Sequence, residues 1–311
     1  MALARFLQIS DLHLGRPFAW LPPERRELRR RDQQAALEQV VRHAIERSAH
    51  AILVPGDLFD GVPVDTSSLT FAARAFAVPG CPPAQKITGP FSDAEVAASP
   101  FAYHAAGHYH VRSDIEQNPG AGTRSTGVRL AYAGSPVALD YTEPGEHGAL
   151  EVLIRYDSER CVVGVEPIKL DRRRVLAAQA DVTGCASPEQ VDRRILHALA
   201  AAGVSERDFT KLTLIGRLSP GVRWTAPGAD VFARAFHVRW DRGAVRPDYD
   251  LDALRTGDGR TTEERFALDL LKRIDAETEP DQRVALERAL YYGLDAFRVR
   301  EVVPQWEEVA E

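Results

Sequence analysis

ARFLQISDLHLG at residues 4–15 and AILVPGDLFD at 51–60 decide the fold. In the first stretch, residues 5–10 alternate and are apolar enough for a β-strand, which breaks off into Asp11-Leu-His13. In the second, 51–55 is a short continuous apolar run, the pattern of a strand buried on both faces, ending in Gly56-Asp57. A polar, proline-containing loop follows the first strand. Leu37, Val40, Val41, Ala44 and Ile45 then recur on one face of a helix expected from about 32 to 49. Strand, helix, strand, with carboxylates where each strand ends, describes a βαβ unit. In such a unit the site lies at the carboxyl ends of the strands, and the chain is of α/β class.

Further out, 66–77 and 92–98 read as helices, the second with Ser92 as N-cap. Residues 101–107 form a strand ending in Gly107-His108-Tyr-His110. Strands are also expected at 129–134, 148–156 and 161–168, the last two as a hairpin turning at Asp157-Ser158. After about Leu170 the texture changes. A strand at 175–182, a helix at 188–202 and a strand at 209–218 make a small α+β unit, and 257–260 reads as a linker. Two helices close the chain, one carrying Phe266, Leu270, Leu271 and Ile274, the other Leu286, Leu290, Leu294 and Phe297. The expected division is 1–170, 171–256 and 261–311.

The 311 residues suffice for one sizeable domain and a smaller one, at roughly 100–200 residues each. Hydrophobic residues at 44% and charged residues at 27% fit a folded globular protein rather than a disordered one. MALARFLQIS holds too short an apolar run for a signal peptide, and no stretch approaches the roughly 18 apolar residues of a membrane helix. Cys81, Cys161 and Cys185 are odd in number and lack metal-type spacing, so free thiols and a cytoplasmic setting are expected. The net charge of −6 excludes coating of nucleic acid by bulk attraction. Any DNA contact must use local patches such as Arg25, Arg26, Arg29, Arg30 and Arg31, or Arg172, Arg173 and Arg174, although each run reads first as a solvated face.

Three short motifs carry chemistry: Asp11-Leu-His13, Gly56-Asp57-Leu-Phe-Asp60 and Gly107-His108-Tyr-His110. Carboxylates and imidazoles are the ligands that manganese, iron or zinc accept. Glycine before Asp57 and before His108 would let each turn tighten and the backbone approach an ion. Taken singly, each motif is commonly a surface pairing or an Asx-capped turn. All three in order, each ending a strand, point to a shared metal site. Asp60 reads as a residue that orients the loop.

FLQISDLHLG, LVPGDLFD and AAGHYH resemble the signature motifs of the calcineurin-like metallophosphoesterases. SPFAYHAAGHYH and AYAGSPVALDYTEPGEHGALEVLI are similar to segments of the SbcD branch and its YhaO-type relatives, which are DNA repair nuclease subunits. The likeness covers most of 4–170 and, more loosely, the small domain after it, where DVTG and LTLIGRLSP resemble the capping domain. It implies a layered β-sheet core with flanking helices, a small α+β capping domain and C-terminal helices. It also implies two divalent ions about 3.5–4 Å apart, with in-line attack of water on phosphorus. By matching motif, Asp11, His13, Asp57 and His110 would hold the first ion. Asp57 would bridge to the second, and His108 would ligate that one. Manganese is the ion expected. The implied partners are an SbcC-like coiled-coil ATPase, DNA ends and a second copy of the chain, with the terminal helices as a possible contact.

Two family motifs are absent. One supplies an asparagine ligand and the histidine that serves as general acid, the other a further histidine ligand. Val78-Pro79-Gly80-Cys81-Pro82-Pro83 begins like the first and breaks off; no histidine lies between His50 and His104, and the only asparagine is Asn118. A block on the order of a hundred residues is missing near 80–88 relative to the family. One well-ligated ion and impaired hydrolysis are therefore expected. The alternatives are an inactive one-metal scaffold of such a complex and a general phosphodiesterase acting on small phosphoesters.

Overall fold

β1 (Ala2–Gln8) leads into the first motif, and α1 (Pro23–Glu46) returns the chain to β2 (Ala51–Leu53). β1 and β2 run parallel, with Phe6 opposite Ala51, Leu7 opposite Ile52 and Gln8 opposite Leu53. Their carboxyl ends therefore lie side by side, as the βαβ reading requires. The structure, a computed structural model, describes residues 2–61, 64–77, 84–85, 92–113, 125–156 and 160–300. Cys81, Asn118 and the Asp157-Ser158 turn lie outside them.

α1 begins well before the expected residue 32, with Pro23 in its first turn, where a missing N–H costs nothing. Its early turns escape an apolar-periodicity reading because inward positions carry polar groups. Arg29 is fully buried and forks onto Asp171, with Nη1–Oδ1 at 3.0 Å and Nη2–Oδ2 at 2.7 Å, and Nη2 also donates to the Ala138 carbonyl at 2.7 Å. The guanidinium is thus a structural strut between α1 and two distant loops. Of its neighbours in the arginine run, Arg26 donates to the Ala19 and Leu21 carbonyls, and Arg30 and Arg31 pair with Glu27. Further along, α1 buries Leu37, Val40, Val41 and Ala44, packing on β1 and β2.

α2 (Thr66–Phe76) follows, capped by the Asp65 side chain, and the β3 backbone (Ala84–Gln85) pairs parallel to β2. α3 (Asp93–Ala98) starts from a reciprocal capping box between Ser92 and Glu95. β4 (His104–Ala106), β5 (Ser125–Gly127), β6 (Leu130–Tyr132), β7 (Gly148–Tyr156) and β8 (Cys161–Lys169) complete the first unit. Six strands form one sheet in the order β3-β2-β1-β7-β8-β5, while β4 and β6 pair parallel as a small second sheet. Ala131, Leu150, Val152 and Val163 form a core cluster joining the two layers. The architecture is mixed α/β and layered.

The chain divides into Met1–Val175 and Leu176–Glu311. The second unit contains β9 (Val175–Asp181), α4 (Pro188–Ala201), β10 (Phe209–Leu218), α5 (Ala229–Ala233) and β11 (His237–Pro247). Its sheet runs β11-β10-β9, and Val191, Ile195 and Leu199 of α4 pack against Leu212, Leu214 and Val238. α6 (Leu251–Thr256), α7 (Thr262–Ala276) and α8 (Pro280–Arg298) follow. Leu270, Leu271, Ile274, Leu290 and Leu294 are buried together with Tyr249, so the two terminal stripes pack within this unit.

Candidate metal centre

Beyond Gln8 and Leu53 the two chains leave the sheet yet stay in register. Ile9 N donates to Leu53 O at 3.0 Å, Asp11 N to Gly56 O at 3.2 Å and His13 N to Asp57 O at 2.8 Å. Leu14 N then donates to Leu58 O at 2.8 Å, and Asp60 N to Leu14 O at 3.0 Å. This ladder fixes the first motif against the second. Buried Gln33 of α1 braces it from below, donating to the carbonyls of Leu12 at 2.8 Å and His13 at 3.1 Å.

The third motif arrives on the end of β4. The Gln8 amide donates to the carbonyls of Ala106 at 3.0 Å and Ala131 at 2.9 Å. A Cβ on Gly107 would stand 3.3 Å from Ser10 Cβ and 3.4 Å from Gly56 N, so a bare backbone lets all three motifs meet. Gly56 differs from its expected role: a Cβ there meets nothing within 4 Å, and its backbone is not left-handed.

Four of the five expected ligands hold a left-handed backbone, with φ of 51° at Asp11, 48° at His13, 46° at Asp57 and 84° at His108. That conformation costs a non-glycine residue on the order of 1–3 kcal/mol and concentrates at functional sites, where the surroundings enforce it. Here the ladder and the Gly107 contact do the enforcing.

Asp11, His13 and His110 each bring one donor atom to within 4.8 Å of the others. Asp11 is fully buried; its Oδ1 accepts from His108 N at 2.8 Å, and its Oδ2 makes no hydrogen bond of good geometry among the described residues. Burial pushes the Asp11 carboxyl above the ordinary aspartate range; Ser10, the His108 N–H and His110 pull the other way, and nearby Asp57 adds to the rise. The His13 and His110 rings meet edge to face at 5.2 Å. His13 Nδ1 stands 3.2 Å from Asp60 Oδ1, within ion-pair reach but outside hydrogen-bond geometry, and neither of its ring nitrogens makes a hydrogen bond. A buried carboxylate oxygen and imidazole nitrogens left without partners are costly. A divalent cation satisfies them together, and an O,N,N donor set suits manganese, iron or zinc. The residues fit a metal.

Asp57 and His108 stand beside this group. Asp57 is exposed and makes itself felt through its charge on Asp11. His108 is exposed, hung on Asp11 by its N–H, with its ring 5.4 Å from that of Tyr109. Among the described residues, the three-residue group contains neither. Asp60 lies beside His13 and accepts from Arg16 Nη1 at 3.1 Å. His104 Nε2 is buried without a partner on β4.

Sequence reasoning missed Glu143. It is buried, and its Oε1 lies 2.7 Å from His110 Nδ1. Its Oε2 accepts from Leu139 N at 2.8 Å and from Ser135 Oγ at 3.3 Å. The hydrogen bond to Glu143 raises the His110 pKa despite burial. On Glu143 itself, burial pushes the carboxyl up, but the His110 contact and the Leu139 N–H outweigh it and hold it below the ordinary range. His147 joins this network through Nε2, 2.9 Å from Glu143 O, and Nδ1, 3.0 Å from Ser135 Oγ. The available signal was the AYAGSPVALDYTEPGEHGALEVLI segment, which ends β6 and runs into β7.

Residues 4–82 match the family model of the calcineurin-like phosphoesterases. The match spans the first two motifs and stops within the 78–83 phrase where the family pattern breaks off. No curated protein matches the chain. The layered α/β architecture agrees with a metallophosphoesterase-type fold, and the match together with the Asp11-His13-His110 group supports a metal-dependent phosphoesterase centre. No helix of the described residues is long and apolar enough to cross a membrane.

Proposed function

We propose that this chain is a manganese-dependent DNA phosphodiesterase, a cytoplasmic nuclease subunit of the SbcD type with weakened turnover. The observation that carries this reading is the Asp11-His13-His110 group, whose metal-ligating atoms converge at the ends of β1 and β4, with Asp11 Oδ2 and both His13 ring nitrogens making no hydrogen bond among the described residues. Asp11, His13 and His110 would hold one ion, with Asp57 and His108 placed beside it for a second. A bound ion supplies Lewis-acid polarisation of the phosphoester oxygen. Asp60 keeps His13 in orientation, and Gln33 holds the loop that carries both Asp11 and His13. Histidine in the general-acid position is missing, a role usually contributing about 10²–10⁴-fold, so slow hydrolysis follows.

The DNA assignment draws on the resemblance of the Gly134-Ser135-Pro136 segment to the nuclease branch. It also draws on Tyr109, 60% exposed between His108 and His110, whose ring offers a face on which a base can stack. A second reading, a one-metal scaffold without turnover, is favoured by the position of Asp57 and His108 outside the ligand group. A third, activity on small phosphoesters, shares the site but not the partners. The SbcC-like ATPase and a second copy of the chain remain the proposed partners. Contact through α7 and α8 would use faces other than their buried stripes.

The test is cleavage of linear DNA with manganese beside a chromogenic phosphodiester, with pull-down of an SbcC-like ATPase. DNA cleavage exceeding that of the small ester supports the nuclease. Silence on both substrates with the partner retained supports the scaffold.

A further inference from the structure

We propose that Glu143 is a positioning residue of the metal centre, fixing the His110 proton on Nδ1 so that Nε2 keeps its lone pair for a cation. This rests on the reading of Asp11, His13 and His110 as metal ligands. An imidazole can ligate only through a nitrogen that carries no proton, and the partner of the other nitrogen decides which one that is. Here Nδ1 faces the Glu143 carboxylate at 2.7 Å.

The geometry suits a carboxylate and not an amide. Oε1 faces His110 Nδ1 while Oε2 accepts from the Leu139 N–H, so both oxygens face donors. An amide at this position has one acceptor and one donor end. If its oxygen serves His110, its NH₂ opposes the Leu139 N–H. If it turns over, the NH₂ faces Nδ1, which must then accept, and the proton moves to Nε2, where it blocks the metal.

The loop is also built to hold this carboxylate still. Ser135 N donates to His110 O at 2.9 Å, and Gly134 (φ 74°) packs so closely that a Cβ would lie 2.8 Å from that same carbonyl. His147 closes the far side between Glu143 O and Ser135 Oγ. Glu143 therefore acts through His110 and touches no substrate.

The test compares wild type, E143Q and E146Q by manganese titration calorimetry and by ¹⁵N shifts of the His110 ring in metal-free protein, recorded with the imidazole neutral. E143Q should lose about 10–100-fold in manganese affinity and show His110 protonated on Nε2 in a substantial fraction of molecules. E146Q neutralises an exposed carboxylate that pairs with Lys169 rather than with His110, and it should keep both properties. Wild-type affinity together with an unchanged Nδ1 proton in E143Q would overturn the proposal. Should E143Q fail to fold, E143D replaces it, its shorter carboxylate drawn away from Nδ1, with the same two readouts and the same overturning result. If wild type itself binds no manganese, the metal reading fails. The ring shifts in metal-free protein still decide what Glu143 does to His110.

Discussion

The backbone N–H of His108 donates to Asp11 Oδ1 across 2.8 Å, tying the third motif to the first through the carboxylate that the metal reading needs. One oxygen of Asp11 is thereby a structural acceptor, and the other is left for a ligand. An asparagine there keeps the acceptor and loses the charge. D11N should retain the fold while manganese affinity falls at least about tenfold, since affinity tracks ligand charge and number. Circular dichroism melts beside calorimetry separate the two effects.

Asp60 and His13 form the matching pair on the other side of the site. Asp60 is partly exposed and close to His13 Nδ1 without a formed hydrogen bond, and it also holds Arg16. D60A should weaken manganese binding by about tenfold, at the lower end for an orienting partner. Thermal stability should change little, because exposed pairs contribute only about 0–1 kcal/mol. A large drop in melting temperature would show that Asp60 holds the loop rather than the ligand.

Two glycines that look alike in sequence should behave differently. Gly107 packs against Ser10 Cβ and the Gly56 backbone, whereas Gly56 has open space around its Cβ position. G107A should destabilise by about 1–3 kcal/mol through overpacking and weaken metal binding by splaying the motifs. G56A should stay within about 0.5 kcal/mol of wild type. Chemical denaturation of both variants checks this directly.

The Arg29–Asp171 pair gives a pH-dependent prediction. Burial pushes the Asp171 carboxyl up, but the Arg29 guanidinium and the N–H groups of Arg173 and Ala138 outweigh it, so its folded pKa lies below the ordinary value. A depressed carboxyl binds fewer protons when folded than when unfolded. Its contribution is therefore complete above the unfolded value of about 4 and disappears as pH falls through the folded one. Acid unfolding should accordingly steepen below about pH 4. D171N, which strands a buried guanidinium, should cost about 3–5 kcal/mol near neutrality and flatten that dependence. Urea melts at several pH values measure it.

How far the sequence could be read depended on what each inward position carries. β10 was legible because Phe209, Leu212, Leu214, Ile215 and Leu218 recur through 209–218, and Ser92 announced α3 through local capping chemistry. The start of α1 was not, because Arg29 and Gln33 occupy inward places and find their partners only in the folded chain, at Asp171 and at the Leu12 and His13 carbonyls. β11 escaped because Arg239, Asp241 and Arg242 interrupt its pattern, and its pairing with β10 shifts register between Thr213 and Ile215. At the site, Asp11, His13 and His110 were legible as strand-end motifs. Spacing could not say that Asp57 and His108 would fall outside the three-residue group. Nor could it find Glu143, which lies 33 positions from His110 and acts only through the fold of the 134–147 loop.

The most direct test is a manganese titration of the purified chain, compared with variants H13A and H110A. Saturable binding near one ion per chain is expected, abolished or strongly weakened in both variants while their folds persist. Wild-type binding that survives in both variants, or no saturable binding in the unaltered protein, would contradict it.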